Sequence, residues 1–351
     1  MSLDWINQAV KKPDESCMQS ASDQQLQLTK PPGSLGRLEE IAIRLAGLQG
    51  GNELKLDKIS ITVFAGDHGV AEENVSAFPQ AVTTEMVKNF ARGGAAISVM
   101  AKELGASLEV VDTGTVIPPE SMPGVISERI AAGTASMARQ AAMDEEQLAK
   151  ALQLGRDAVE RAIKQSMDLF IGGDMGIANT TAATAIACSI LNKPASELVG
   201  PGTGLDDEGV RHKAKVIQAA LELHEHEMKS PIDILRCVGG FEIAALCGAY
   251  IHCAQRGVPF IVDGFIASSA ALIAINIQAG VKDWLFMSHR SAEPGHKQMV
   301  EAIGIQPVLD LGMRLGEGSG AAVAVPILRM AVVTHTQMAS FAEAGVSEKI
   351  E

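Results

Sequence analysis

The feature that most limits how this chain can fold is a set of six short apolar runs, each stopping in glycine plus Asp, His, Ser, Thr or Glu. They are "ISITVFAGDHG", "LEVVDTGT", "DLFIGGDMG", "VPFIVDGFIASS", "DWLFMSHRSAEPG" and "IQPVLDLGMRLGEGSG". Five of the six lead into a plausible helix. Continuous apolar strands alternating with helices require a parallel sheet covered on both faces. About six strands fit an open, doubly wound, Rossmann-like sheet. In such sheets ligands bind beyond the carboxyl ends of the strands. Six polar, glycine-containing endings on one edge therefore point to a site there, because functional groups concentrate on loops held by a rigid scaffold.

The intervening helices are "PQAVTTEMVKNFARGGAAISVMAKEL", "DEEQLAKALQLGRDAVERAIKQS", "NTTAATAIACSIL" and "FEIAALCGAYIHCAQRG". Residues 115–140 carry Pro and Gly with weak patterning and read as a long loop. The first fifty residues are helical around one break at Pro31, Pro32 and Gly33. Residues 322–351 are helical again, with Pro326 near their start. These readings predict two units: residues 1–50 plus 322–351 as a small helical domain from both chain ends, and residues 51–321 as an α/β catalytic domain.

Composition removes several partners. The chain has 351 residues, 47% apolar and 20% charged, which is long and apolar enough for a sizeable core. Its net charge of −13 and the lack of any basic block argue against nucleic acid and anionic membrane surfaces. Aromatic residues make up only 3%, too few for base-stacking platforms. The N-terminal stretch has no signal-like apolar core, and the longest apolar run is too short and too rich in small residues to span a bilayer. A cytoplasmic location is expected. The five cysteines, Cys17, Cys188, Cys237, Cys247 and Cys253, show no CxxC spacing, so no metal site is expected.

Four segments carry candidate chemistry, and a fifth carries the most exceptional acid. "IGGDMGIANTTAATA" ends a strand, turns on Gly172, Gly173 and Gly176, and opens a helix whose free N–H groups suit an anion; an ordinary Asn or Thr cap reads equally well. "VGPGTGLDDEGVRHKAKVI" sets Gly200, Gly202 and Gly204 before Lys213, either a phosphate cradle or a flexible surface loop. It is not GxxxxGK[ST], and no GxGxxG follows the first strand. "SHRSAEPGH" offers Arg290 and Ser291 to a phosphate, while His289 and His296 lack the partners a zinc site needs. "AGDHGV" puts Asp67 and His68 at a strand end, as a structural pair or, less simply, a base or ligand. The exceptional acid is Glu317 in "LDLGMRLGEGSGAA", framed by Gly316 and Gly318. It is either a helix-capping carboxylate or a catalyst.

Taken in order, "KPPGSLGRLE", "AGDHGV", "GGDMGIANTTAA", "VGGFEIAALCGA", "DGFIASSAAL", "SHRSAEPGH" and "MRLGEGSGAA" resemble the nicotinate-nucleotide–dimethylbenzimidazole phosphoribosyltransferase family, over nearly the whole chain. The resemblance implies transfer of the phosphoribosyl group of nicotinate mononucleotide to 5,6-dimethylbenzimidazole with inversion, giving α-ribazole 5′-phosphate and nicotinate. It implies Glu317 as general base and Asp174 as a supporting acid, where members more often carry Glu. Gly176, Gly202, Gly204, Lys213 and Ser291 become candidate ribose-phosphate contacts, and Phe78, Pro79, Met86 and Leu315 candidate walls of the base pocket. It further implies a homodimer, with neither metal nor other cofactor required. A related enzyme using another lower-ligand base fits the same motifs. A nucleotide-dependent oxidoreductase and a non-catalytic nucleotide binder are the competing readings. The missing dinucleotide fingerprint weighs against the first, and the glycine-framed Glu against the second.

Overall fold

The computed structural model describes residues 3–347. Helices α1 (Glu15–Gln27) and α2 (Arg37–Gln49) precede β1 (Ile59–Gly66). Then come α3 (Ala81–Arg92), α4 (Ala96–Leu104), β2 (Ser107–Gly114), β3 (Val125–Ser127), α5 (Glu145–Lys164) and β4 (Leu169–Met175). Next follow α6 (Asn179–Leu191), α7 (Ala195–Leu198), α8 (Asp207–His224), α9 (Pro231–Val238) and α10 (Phe241–Arg256). The chain continues through β5 (Phe260–Val262), α11 (Phe265–Ile277), β6 (Leu285–Met287), α12 (His296–Ile303), α13 (Ser319–Gln337) and α14 (Phe341–Ala344).

The six strands form one sheet in the order β3-β2-β1-β4-β5-β6, and every neighbouring pair is parallel. This is the doubly wound order, whose topological switch falls between β1 and β4. All eight residues of β1 are buried, as expected for a strand covered on both faces. The expected strand number is met, but one member differs. The run "IQPVLDLGMRLGEGSG" forms only a single bridge, His289 with Leu309. Its glycines and left-handed turns, at Gly312, Gly316 and Gly318, prevent a ladder. The sixth strand is instead β3, from the segment read as a loop. The long helix expected before β2 is broken at Gly93, whose φ of +83° ends α3.

Helices α5 and α10 cross closely because neither presents a side chain at the contact. A Cβ at Gly155 would strike the carbonyl of Ala245, and one at Gly248 the carbonyl of Leu152. At the chain ends, α2 packs on α1 and α13. Gln25 Nε2 meets His335 Nδ1 at 2.8 Å, and Leu28 pairs with Ser340 in an isolated antiparallel bridge. Among the described residues α13 alone is long and apolar enough to cross a bilayer, and about half of it is packed inside the protein. Residues 348–351 of the predicted C-terminal helical segment lie outside the described residues.

Candidate active site

A cavity of about 400 Å³ opens at the carboxyl edge of the sheet, over the ends of β4, β5 and β6. Phe78, Met86, Asp174, Gly176, Gly202, Ser291, Leu315 and Glu317 all line it. Segments far apart in sequence are thus brought together around one space, from α3 to the start of α13.

Glu317 owes its position to an unusual backbone. Gly316, Glu317 and Gly318 all have positive φ, at +87°, +65° and +87°. A non-glycine residue in that region is disfavoured and persists only where its surroundings enforce it. Here β4 and β5 do so. The Glu317 N–H donates to the Asp174 carbonyl at 3.2 Å. Gly173 must lack a side chain, because a Cβ there would run into the Glu317 carbonyl. Asp263, just beyond β5, accepts from Gly318 N–H at 3.2 Å and Ala321 N–H at 2.8 Å. The capping carboxylate of α13 is therefore Asp263, and Glu317 is released from that duty. Its side chain is buried, and Oε2 has no hydrogen-bond partner. Burial raises its pKa, opposed by the backbone N–H of Ile97 at the start of α4.

Asp174 is also buried, and its Oδ1 accepts from Asn179 Nδ2 at 3.1 Å. Burial first, then the carboxylates of Asp263, Glu242 and Glu317, push its pKa well above the ordinary range, while Asn179 opposes. Of the two, Asp174 is the more strongly biased towards the protonated form, and Glu317 is the carboxylate more easily ionised. Burial also drives Asp263 up to about 7 against its backbone donors.

Beside these acids, α6 begins at Asn179 with Ala178 as N-cap in the left-handed region, and no side chain caps it. The Asn or Thr cap that the sequence allowed is not formed. Lys213 lies one layer behind the cavity wall. Its Nζ donates to Thr180 Oγ1 at 2.6 Å and to the Gly200 carbonyl at 3.4 Å. Burial lowers its pKa to about 8, with Glu293 opposing. Gly202 has φ +55°, and a Cβ there would press on Thr180 Oγ1 and approach Lys213 Nζ. Pro79 and Gly204 do not line the cavity: Pro79 precedes α3, and Gly204 stands with open space around it.

Several lining residues were not expected as contacts, notably Arg314, Glu293 and Phe265. Arg314 Nη1 donates to the Gly202 carbonyl at 3.2 Å and so ties the "MRLGEGSG" segment to the glycine loop. No sequence pattern links those two stretches, 112 positions apart. His289 lines the cavity as well, with a pKa lowered by burial and Nε2 without a partner. His296 stays behind: burial holds it at about 3, and its Nδ1 accepts from the Ser291 backbone at 2.8 Å. The Asp67–His68 pair separates. Asp67 accepts from Thr83 Oγ1 at 2.6 Å, whereas His68 Nε2 joins Glu242 Oε1 at 2.6 Å.

A pair of buried carboxyl groups at the mouth of an open α/β sheet, with an uncapped helix end on the same cavity, defines an enzyme that handles a small substrate carrying an anionic group. The comparisons with known proteins narrow this. A family model described as Phosphoribosyltransferase matches residues 10–346. Nicotinate-nucleotide–dimethylbenzimidazole phosphoribosyltransferases of Pseudomonas aeruginosa (strain LESB58) and Pseudomonas putida (strain W619) are each 57% identical over 349 residues, covering 99% of both chains. The crystal structure of the corresponding enzyme from Thermus thermophilus superposes with a TM-score of 0.91 at 42% identity, over 96% of this chain and 100% of that one. The chain belongs to this phosphoribosyltransferase family.

Proposed function

We propose that the protein transfers the phosphoribosyl group of nicotinate mononucleotide to 5,6-dimethylbenzimidazole with inversion at the anomeric carbon, releasing nicotinate. The full-length likeness to enzymes bearing that name supports the substrates. The observation that carries the chemistry is the buried, unpartnered Oε2 of Glu317, a residue that lines the cavity together with Phe78, Val82, Met86 and Leu315.

In this reading a flat azole lies among those apolar side chains. One ring nitrogen attacks the ribose carbon from the face opposite nicotinate, and the other passes its proton to the Glu317 carboxylate. The carbon–nitrogen bond to nicotinate breaks, and its electron pair neutralises the pyridinium ring, so the leaving group needs no proton. General-base help of this kind is worth about 10²- to 10⁴-fold. Positioning of the two substrates supplies most of the remainder. The stronger upward bias on Asp174 leaves Glu317 as the better acceptor for the azole proton, with Asp174 as a supporting acid. The 5′-phosphate takes the uncapped start of α6 at Gly176, the Gly202 loop and Ser291, with Lys213 and Arg314 as nearby cations. Residues 1–50 with 322–351 act as a small helical unit beside the α/β part, the chains pair as homodimers, and the protein works in the cytoplasm.

The test is incubation with nicotinate mononucleotide and 5,6-dimethylbenzimidazole, with products resolved by chromatography. Equimolar nicotinate and α-ribazole 5′-phosphate are expected. Slow hydrolysis to ribose phosphate, or no nicotinate release, would refute the proposal. If adenine or a phenol is turned over much faster, the alternative lower-ligand reading replaces it.

A further inference from the structure

Far from the cavity lining, three potential metal ligands converge where α8 ends and α9 approaches it. His224 is the last residue of α8, Glu227 lies in the following turn, and Cys237 is the penultimate residue of α9. One ligand atom from each lies within 4.8 Å of the others. His224 and Cys237 are 2% and 0% exposed, while Glu227 closes the cluster from the solvent side.

The hydrogen bonds around these side chains aim them at one point. His224 Nε2 meets the Met137 carbonyl at 2.9 Å. A carbonyl only accepts, so Nε2 carries the proton, and in the neutral imidazole Nδ1 holds the lone pair. That Nδ1 is buried and has no hydrogen-bond partner; Glu227 Oε1 stands 3.9 Å away, beyond bonding distance. A histidine locked by a carbonyl on one nitrogen and open on the other is the arrangement that metal-ligating histidines use. Arg236 Nη2 donates to Glu227 Oε2 at 2.8 Å, which orients the carboxylate and leaves Oε1 towards the cluster. The thiol of Cys237 supplies the soft donor.

We propose that His224 Nδ1, Glu227 Oε1 and Cys237 Sγ form a binding site for a borderline divalent transition metal, with Zn²⁺ as the best match. Nitrogen, oxygen and thiolate donors suit zinc, and three protein ligands leave a fourth position for water. Tetrahedral zinc needs donor atoms roughly 3.3–3.8 Å apart, given its usual bond lengths. The ligand atoms, all within 4.8 Å of one another, reach that spacing with shifts of about 1 Å or a little more. Bound metal would reinforce contacts already present: Ala142 and Met143 N–H donate to the carbonyls of Cys237 and Arg236, and His224 Nε2 donates to the Met137 carbonyl. It would tie the Met137 loop to α8, which carries Lys213, and to α9, which leads into Glu242. The site is thus a structural or regulatory brace, separate from the transfer chemistry.

Chelator-stripped, reduced, tag-free protein titrated with Co²⁺ tests this, in a Cys17→Ser background to remove the half-exposed thiol. We expect one equivalent bound per chain, tetrahedral ligand-field bands, and a thiolate-to-cobalt charge-transfer band that Zn²⁺ abolishes. Cys237→Ser should remove the charge-transfer band. Glu227→Gln, at a half-exposed position the fold tolerates, should weaken Co²⁺ binding at least tenfold. Absence of the charge-transfer band while Cys237 is intact overturns the proposal, leaving His224 and Glu227 as an ion pair only. Undiminished affinity in Glu227→Gln overturns it equally.

Discussion

At the scale of single residues, the glycine-framed acid was visible in the sequence, but its freedom to act was not. A carboxylate before an apolar helix reads as a cap. Only the tertiary fold shows that Asp263, from another strand end, holds the first amides of α13. Asp263→Ala should therefore lower both stability, by about 1–2 kcal/mol for a lost cap, and kcat, since Glu317 loses its anchor. Asp263→Asn should keep more of each, which thermal melts and turnover would show together. Lys213 was legible as a cation behind a glycine loop, though not its burial. With its pKa at about 8, the charged form proposed to attract phosphate is lost as pH rises through that value. The KM for nicotinate mononucleotide should climb as pH rises past that point, while that for the base stays level. Lys213→Ala should raise the mononucleotide KM below that point and flatten the climb above it. An effect confined to the base would contradict the assignment.

At the scale of elements, alternation of apolar runs and helices was enough to expect a parallel sheet. It failed where length and turn chemistry decide. β3 is three residues long and only partly buried, too short to leave a periodic signal. The "IQPVLDLG" run has strand-like composition but ends in left-handed glycines that carry the chain over the sheet edge instead. Gly173, on the neighbouring β4, matters because that crossing chain passes so close to it. Gly173→Ala would push on the Glu317 carbonyl and should cut kcat at least tenfold with a smaller change in melting temperature. Gly155→Ala, remote from the cavity, should do the reverse. Overpacking the α5–α10 crossing should cost about 1–3 kcal/mol of stability, read from denaturant melts, with kcat unchanged in what remains folded.

For the whole molecule, the fold and the edge on which the cavity opens followed from one edge gathering the polar strand endings, whereas the pairings among them did not. Asp67 and His68 are adjacent in sequence, yet His68 bonds Glu242, 174 positions away. Burial works against the imidazolium, but Glu242 and then Asp67 outweigh it, so the folded pKa of His68 is raised above 6.5. Stability from that pair is fully present below the unfolded value and is lost as pH rises through the folded one. The melting temperature should fall over that alkaline step in the wild type, and the step should vanish in Glu242→Gln. The same buried hub borders the cavity, where Gly176 approaches the Gly66 carbonyl too closely to carry a side chain.

Glu317 is proposed to remove the azole proton during phosphoribosyl transfer. This role is tested most directly by the rate of nicotinate release from Glu317→Gln with both substrates saturating. The amide keeps the shape of the side chain and cannot accept that proton. A fall of about 10²- to 10⁴-fold is expected, with melting temperature and mononucleotide binding close to wild type. Release at a rate near that of the wild type would contradict it.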